Sequence, residues 1–181
     1  MHPSLAIVFR PRLTWEALGR DVPSWTRSLG RHALPLALVP AVAWPVGRWL
    51  TGMSGAANAG DIAGAFVATV LFTLASLLIV AAAIYVLSPF FGVARQWNGC
   101  VAVAAYSSTP VLLAGALLFN PVLIIASVAA LLHGLVLCSV GMNVLLGCRD
   151  SDTAAYVAAV SVASLLASMA LGALCSAIGL I

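Results

Sequence analysis

The chemistry this chain could perform inside its apolar segments rests on one histidine and one hydroxyl-rich patch. His133 lies deep in a long uncharged stretch, and Tyr106, Ser107, Ser108, Thr109 and Pro110 form the polar patch "AYSSTP" in another. An ionisable residue in such a setting is by default a functional hypothesis. A serine activated by His133 would make an intramembrane hydrolase. The sequence offers no glycine-flanked nucleophile elbow for it and no evident oxyanion donor. A proton relay would need a second titratable member, and no acid accompanies His133 in its stretch. The structural reading is simpler. Pro110 cannot donate to the carbonyl of Tyr106, four residues earlier, and neighbouring hydroxyls can satisfy the backbone groups that such a kink frees.

Other chemistry has little to stand on. Cys100, Cys138, Cys148 and Cys175 form no CxxC pair and match no zinc spacing. Asp150 and Asp152 sit beside Arg149 in a short loop, with too few ligands for a tight divalent site. There is no Walker loop, GxGxxG, HExxH or pair of facing carboxylates. The expectation is a non-enzyme with no catalytic residue, no metal and no cofactor.

Composition states what the remaining elements must be. Of 181 residues, 63% are hydrophobic and only 7% charged, with mean hydropathy +1.13. Soluble domains carry about 25% charged residues. This chain has too little charge to coat a water-facing surface, so its apolar segments are read as transmembrane helices.

The fold class expected is an all-α integral membrane protein, a bundle of five transmembrane helices. The domain reading is an arginine-rich arm over 1–29 and a transmembrane domain over 30–181. The spans are placed at about 33–50, 62–88, 97–119, 121–147 and 154–181. The first is short for a bilayer core of about 30 Å. Pro35, Pro40 and Pro45 should bend it, and a re-entrant or surface helix is its alternative. Phe119, Asn120 and Pro121 mark the tip of a helical hairpin between the third and fourth spans. Rows of small residues in the fifth, Ser164-Ser168-Gly172-Ser176 and Ala155-Ala159-Ala163-Ala167, allow close helix packing.

All eight basic residues are arginine, and five fall within the first 31 residues. With the N-terminus inside, Arg10, Arg12, Arg20, Arg27, Arg31, Arg95 and Arg149 are cytoplasmic, and only Arg48 is opposite. This asymmetry orients the chain, and five spans then leave the C-terminus outside. The segment "RPRLTWEALGRD" reads as a short interfacial helix with Thr14 as its N-cap and Gly19 at its end. Trp15, Leu18 and Val22 share one face. Trp15 and Trp25 suit the headgroup region, so both join the five N-terminal arginines as candidate lipid or partner contacts. The aromatic interleaving and groove-reading modules of a nucleic-acid binder are absent.

Depth can be counted from the hairpin tip. Ser108 lies twelve residues before Asn120, and His133 thirteen after it. At about 1.5 Å per residue the two should be level. Neutral His133 is therefore expected to face the third helix and bond Ser107, Ser108 or the Tyr106 carbonyl.

The segments "RPRLTWEAL", "SPFFGVARQWNGCVAVAAYSSTPVLLAG" and "LLHGLVLCSVGMNVLLG" together resemble the Yip family of Ypt/Rab-interacting membrane proteins, in its bacterial branch. The shared features are a proline-plus-aromatic lead-in, a Pro-Phe-Gly-type loop before Ala-Tyr-Ser-x-x-Pro, and a glycine like Gly141. The resemblance implies a five-helix bundle with a cytoplasmic N-terminus. Eukaryotic relatives bind Rab-type GTPases and serve vesicle traffic. The Asp-Leu-Tyr-Gly-Pro motif of those relatives is not in this sequence. The function expected is a membrane-organising or partner-binding scaffold in the bacterial inner membrane, in contact with the lipid bilayer and with a protein partner or a second copy. A small transporter or channel is the alternative reading, and the hydrolase is third.

Overall fold

A computed structural model describes residues 3–50, 59–117 and 124–177, all helix and connecting turns with no strand among them. The helices are α1 (Pro3–Phe9), α2 (Pro11–Arg20), α3 (Trp25–Arg27), α4 (Leu34–Leu50), α5 (Ala59–Leu87), α6 (Trp97–Ser107), α7 (Thr109–Ala114), α8 (Ile124–Leu146) and α9 (Asp150–Ala177). Short 3-10 turns follow α5 at Ser88–Phe91 and α7 at Gly115–Leu117.

Among the described residues, four helical segments are long and apolar enough to cross a membrane: Gly60–Phe91, Trp97–Leu117, Ile125–Leu146 and Asp150–Leu174. They correspond to the second to fifth spans read from the sequence. The first apolar segment is not among them. Its α-helical part, α4, has 17 residues, or about 26 Å at 1.5 Å per residue. The expected turn at Phe119-Asn120-Pro121 lies outside the described residues.

The third span is the centre of the molecule. Every residue from Gly99 to Ser107 is buried, as are Thr109 and Pro110. The buried side chains of α6 are small: Gly99, Cys100, Ala102, Ala104, Ala105, Ser107 and two valines beside one large residue, Tyr106. Small residues let backbones approach where lipid offers no hydrophobic drive between helices. α5, α8 and the start of the first helix pack around it. The outer helices turn apolar side chains outward, such as Leu71, Ile125, Leu132, Leu165 and Met169. In α9, Tyr156, Val160 and Ser164 face inward at four-residue spacing, whereas Ser176 is exposed.

The first helix starts earlier than its apolar run suggests. Ser24 caps it, accepting from the Arg27 N–H at 3.4 Å. From Trp25 the chain is helical without interruption through α3, a π-turn at Ser28–Ala33 and α4. In the π-turn the Leu34 N–H bonds the Leu29 carbonyl, five residues back. The following Pro35 has no N–H to continue the ladder.

The N-terminal segment is two helices, where the sequence suggested one. Thr14 is inside α2, its hydroxyl on the Arg10 carbonyl at 2.9 Å, and Arg10 itself is the N-cap. The missing N–H of Pro11 and the broken backbone at Arg10 place the boundary there. α2 runs lengthwise along α8, and α1 packs on α2 and α7. Val8 meets His133, Trp15 meets Gly141, and Gly19 meets Val144 and Leu145. Ile7 and Trp15 are fully buried in the core, while Phe9 and Leu13 are exposed.

Trp15 seats α2 where Gly141 leaves room. A Cβ on Gly141 would lie 2.8 Å from the indole Cζ2 and 2.9 Å from Cη2. Gly141→Ala should therefore destabilise the fold by about 1–3 kcal/mol through overpacking. The added Trp15→Phe change should restore part of that loss. Thermal unfolding in mild detergent measures both, and an unchanged midpoint in G141A would contradict this seating.

Candidate functional site

The kink at the third span begins with a missing donor. Pro110 leaves the Tyr106 carbonyl without its helical partner, and the Thr109 hydroxyl takes it at 2.8 Å. Ser107 and Ser108 turn their hydroxyls to the Ala104 carbonyl, at 3.3 and 2.7 Å. The hydroxyls of the patch thus bond their own helix. The expected satisfaction of the Tyr106 carbonyl is met by Thr109.

Thr109 also joins this helix to the first. Its Oγ1 lies 2.9 Å from Nε2 of His32, and both residues are buried. The Thr109 proton goes to the Tyr106 carbonyl, so Oγ1 accepts and Nε2 of His32 donates. The imidazole stacks on the Tyr106 ring, with centroids 3.9 Å apart and planes 21° apart. Trp15 meets the same ring edge-on at 6.2 Å. His32, Tyr106, Thr109 and Trp15 therefore form one buried cluster from three parts of the chain: α2, the π-turn and the central helix. Two buried polar atoms here have no hydrogen-bond partner among the described residues, Trp15 Nε1 and Ser28 Oγ, the latter one turn before His32.

His133 does not join this cluster. Its Nε2 lies 3.3 Å from the Val8 carbonyl of α1, so the expected bond to the third helix is corrected. His133 is level with the polar patch of the third helix but is rotated away from it. A Cβ on Gly134, the next residue, would lie 3.0 Å from the Ser107 carbonyl. Gly134 is therefore the residue of α8 that faces the third helix at this level. One residue turns a helix by about a hundred degrees, which carries His133 round to α1. The serine–histidine pairing required by a hydrolase is not made.

His32 and Ser28 were not singled out from the sequence, because they stand among the arginines of the arm. A signal was present. Arg27 and Arg31 are four residues apart, and so are Ser28 and His32. The first pair is exposed and the second buried.

The other end of the cluster's helix is also fixed by polar contacts. The Trp25 N–H bonds Oδ1 of Asn98 at 3.1 Å, so the first and third helices start level. Gly99 abuts Leu146, which places the end of α8 at that level too. Arg20, Arg27, Arg31, Arg95 and Arg149 are thus gathered at one end of the bundle, all exposed. Arg10 and Arg12 are exposed farther along α2. Of the two candidate tryptophans, Trp25 is exposed and Trp15 is enclosed within this chain. At the same end Arg95 covers the Tyr85 ring at 5.4 Å. Asp150 accepts from Asn143 at 2.7 Å, and Thr153 bonds the same asparagine. Tyr156 fastens α9 to the end of α5 through Ser88 at 2.9 Å.

A kinked, small-residue helix enclosed by apolar helices, with its polar groups tied internally, defines a polytopic α-helical membrane protein. The family model described as "Yip1 domain" matches residues 5–172. The chain belongs to that family. No significant match exists among the curated proteins or the solved structures.

The geometry predicts unequal costs at the two histidines. Thr109→Val should lose about 1–3 kcal/mol, because it strips partners from His32 and from the Tyr106 carbonyl. His32→Phe should cost a similar amount, and the double variant less than the sum. His133→Ala should cost less than either. Unfolding titrations in mixed micelles would measure these values. Equal losses at His32 and His133 would refute the cluster's primacy.

Proposed function

We propose that this chain is a non-enzymatic five-span membrane scaffold. In this reading the N-terminus is cytoplasmic and the C-terminus outside, in the inner membrane of a bacterium. The arginine-rich end engages lipid and a protein partner or a second copy.

The observation that carries the reading is the enclosure of the third span. From Gly99 to Ser107 its whole circumference is buried against neighbouring helices. A transporter needs a polar route at the bundle centre, and the centre here is packed by Cys100, Ala102, Val103, Ala104 and Ala105.

The five-span count is supported by the path of the first helix. It runs parallel to the third. Trp25 pairs with Asn98 at one end, His32 with Thr109 in the middle, and Pro40 with Gly115 farther on, 2.8 Å from where a Cβ would stand. Counted from Trp25 to Leu50, the helix has 26 residues. That is about 39 Å, enough for a core of about 30 Å. Two parallel neighbours joined through α5 fit alternating spans. The arginine end then becomes the cytoplasmic end.

Reporters active only in the cytoplasm or only outside, fused at Asn58, Asp150 and Ile181, should read outside, inside and outside. A cytoplasmic C-terminus would reject the count or the orientation. The scaffold is tested separately. In a chain whose native cysteines are replaced by alanine, Val103→Cys and Ala104→Cys should resist a membrane-impermeant thiol reagent from both sides. Prompt labelling of the folded protein would reveal a water path and favour a transporter.

A further inference from the structure

We propose that Thr26, Arg27 and Arg31 form a binding site for the phosphate headgroup of an anionic phospholipid, whose acyl chain lies along the outer face of α4. The inference deepens the scaffold reading above by giving its lipid contact a defined place and chemistry.

An open pocket of about 530 Å³ is lined by these three residues. Arg27 and Arg31 are four apart, so their guanidinium groups rise from neighbouring turns of one helix. Arginine presents a planar fork that fits phosphate oxygens bidentately. Little competes for these forks. Asp21 is the carboxylate near Arg27, at 3.9 Å, with both side chains exposed, and such a pair is worth about 0–1 kcal/mol. Arg31 makes no ion pair among the described residues. The Thr26 hydroxyl, 3.2 Å from Ser24, stands beside them as a further polar group.

What lies beyond the arginines selects a lipid over a free anion. Leu34, Leu38, Val42 and Val46 follow at four-residue spacing, and all four are exposed. Their inward counterparts, Ala33, Ala37 and Ala41, are fully buried against the bundle. The outward stripe from Leu34 to Val46 is about 18 Å long, close to one leaflet of a core about 30 Å thick. Trp25, at the pocket end, is exposed at the height where an indole suits the headgroup layer. Basic groups above one leaflet of apolar surface match the shape and polarity of a single phospholipid.

Native mass spectrometry of the purified full chain in neutral detergent tests this without assuming any topology. Its failure would leave the scaffold reading standing. Phosphatidylglycerol, phosphatidylcholine and inorganic phosphate are the probes. The wild-type chain should retain one phosphatidylglycerol through delipidation. R27Q/R31Q should lower that occupancy about tenfold or more, and R10Q/R12Q, with the same charge change, should leave it unaltered. R27K/R31K, which keeps the charge without the fork, should fall between, and its retained helicity would show that the segment still folds. Equal losses in the two glutamine pairs would overturn the site in favour of diffuse surface charge. Equal retention of phosphatidylcholine would overturn the headgroup selectivity. Displacement of phosphatidylglycerol by an equal concentration of inorganic phosphate would overturn the lipid as occupant.

Discussion

A proline in the middle of a membrane helix leaves one carbonyl without its donor, and in hydrocarbon that carbonyl must find another. Here it belongs to Tyr106, and Thr109 supplies the hydroxyl. The consequence propagates. Once the Thr109 proton is directed to its own backbone, its oxygen can only accept, and His32 of the first helix donates to it. The imidazole so placed lies flat on Tyr106. The other contact of that ring is the edge of Trp15, and Trp15 fills the space above Gly141 of α8. A single backbone group thereby ties together the N-terminal helices, the first helix, the central helix and the fourth span.

Around that chain of contacts the bundle divides its residues by size. The central helix carries small side chains and the outer helices carry leucine, isoleucine and valine on their lipid side. Dispersion forces act fully only at close approach, so the small residues of α6 allow packing that larger ones would prevent. The glycines on α8 do complementary work: Gly134 admits the third-helix backbone and Gly141 admits an indole. Arg20, Arg27, Arg31, Arg95 and Arg149 stay outside this interior at one end, and Arg10 and Arg12 are exposed along α2, where guanidinium groups can remain in water.

His32 and His133 show how chain position misleads. His133 sits in a long apolar run and looks like the site of any chemistry, yet it makes one bond to the Val8 carbonyl and remains only half-buried. His32 looks like part of a solvated basic arm, yet it is among the most enclosed polar residues of the molecule. The π-turn explains the second case. The helix begins at Trp25, eight residues before the apolar run, so residues that read as linker already belong to a helix facing the bundle.

What the sequence determined by itself is whatever depends on composition and on distance along a helix. The scarcity of charge required lipid-facing helices, and four of the uncharged runs coincide with helices long and apolar enough to cross a membrane. Pro110 located the kink and implied a hydroxyl partner for Tyr106. Counting from the hairpin tip put Ser108 and His133 at one depth, because rise per residue is nearly constant, and their neighbours Ser107 and Gly134 face each other at that level. Rotation about the axes of the spanning helices was not determined, because α5, α6, α8 and α9 are apolar almost all round and their hydrophobic pattern marks no inner face. Only the packed structure decided that Gly134 meets the third helix while His133 meets α1. The same holds for the N-terminal segment. Its sequence permits α2 to lie flat on a membrane surface or to stand against the bundle, and the fit of Trp15 over Gly141, a contact between residues 126 positions apart, selected the second.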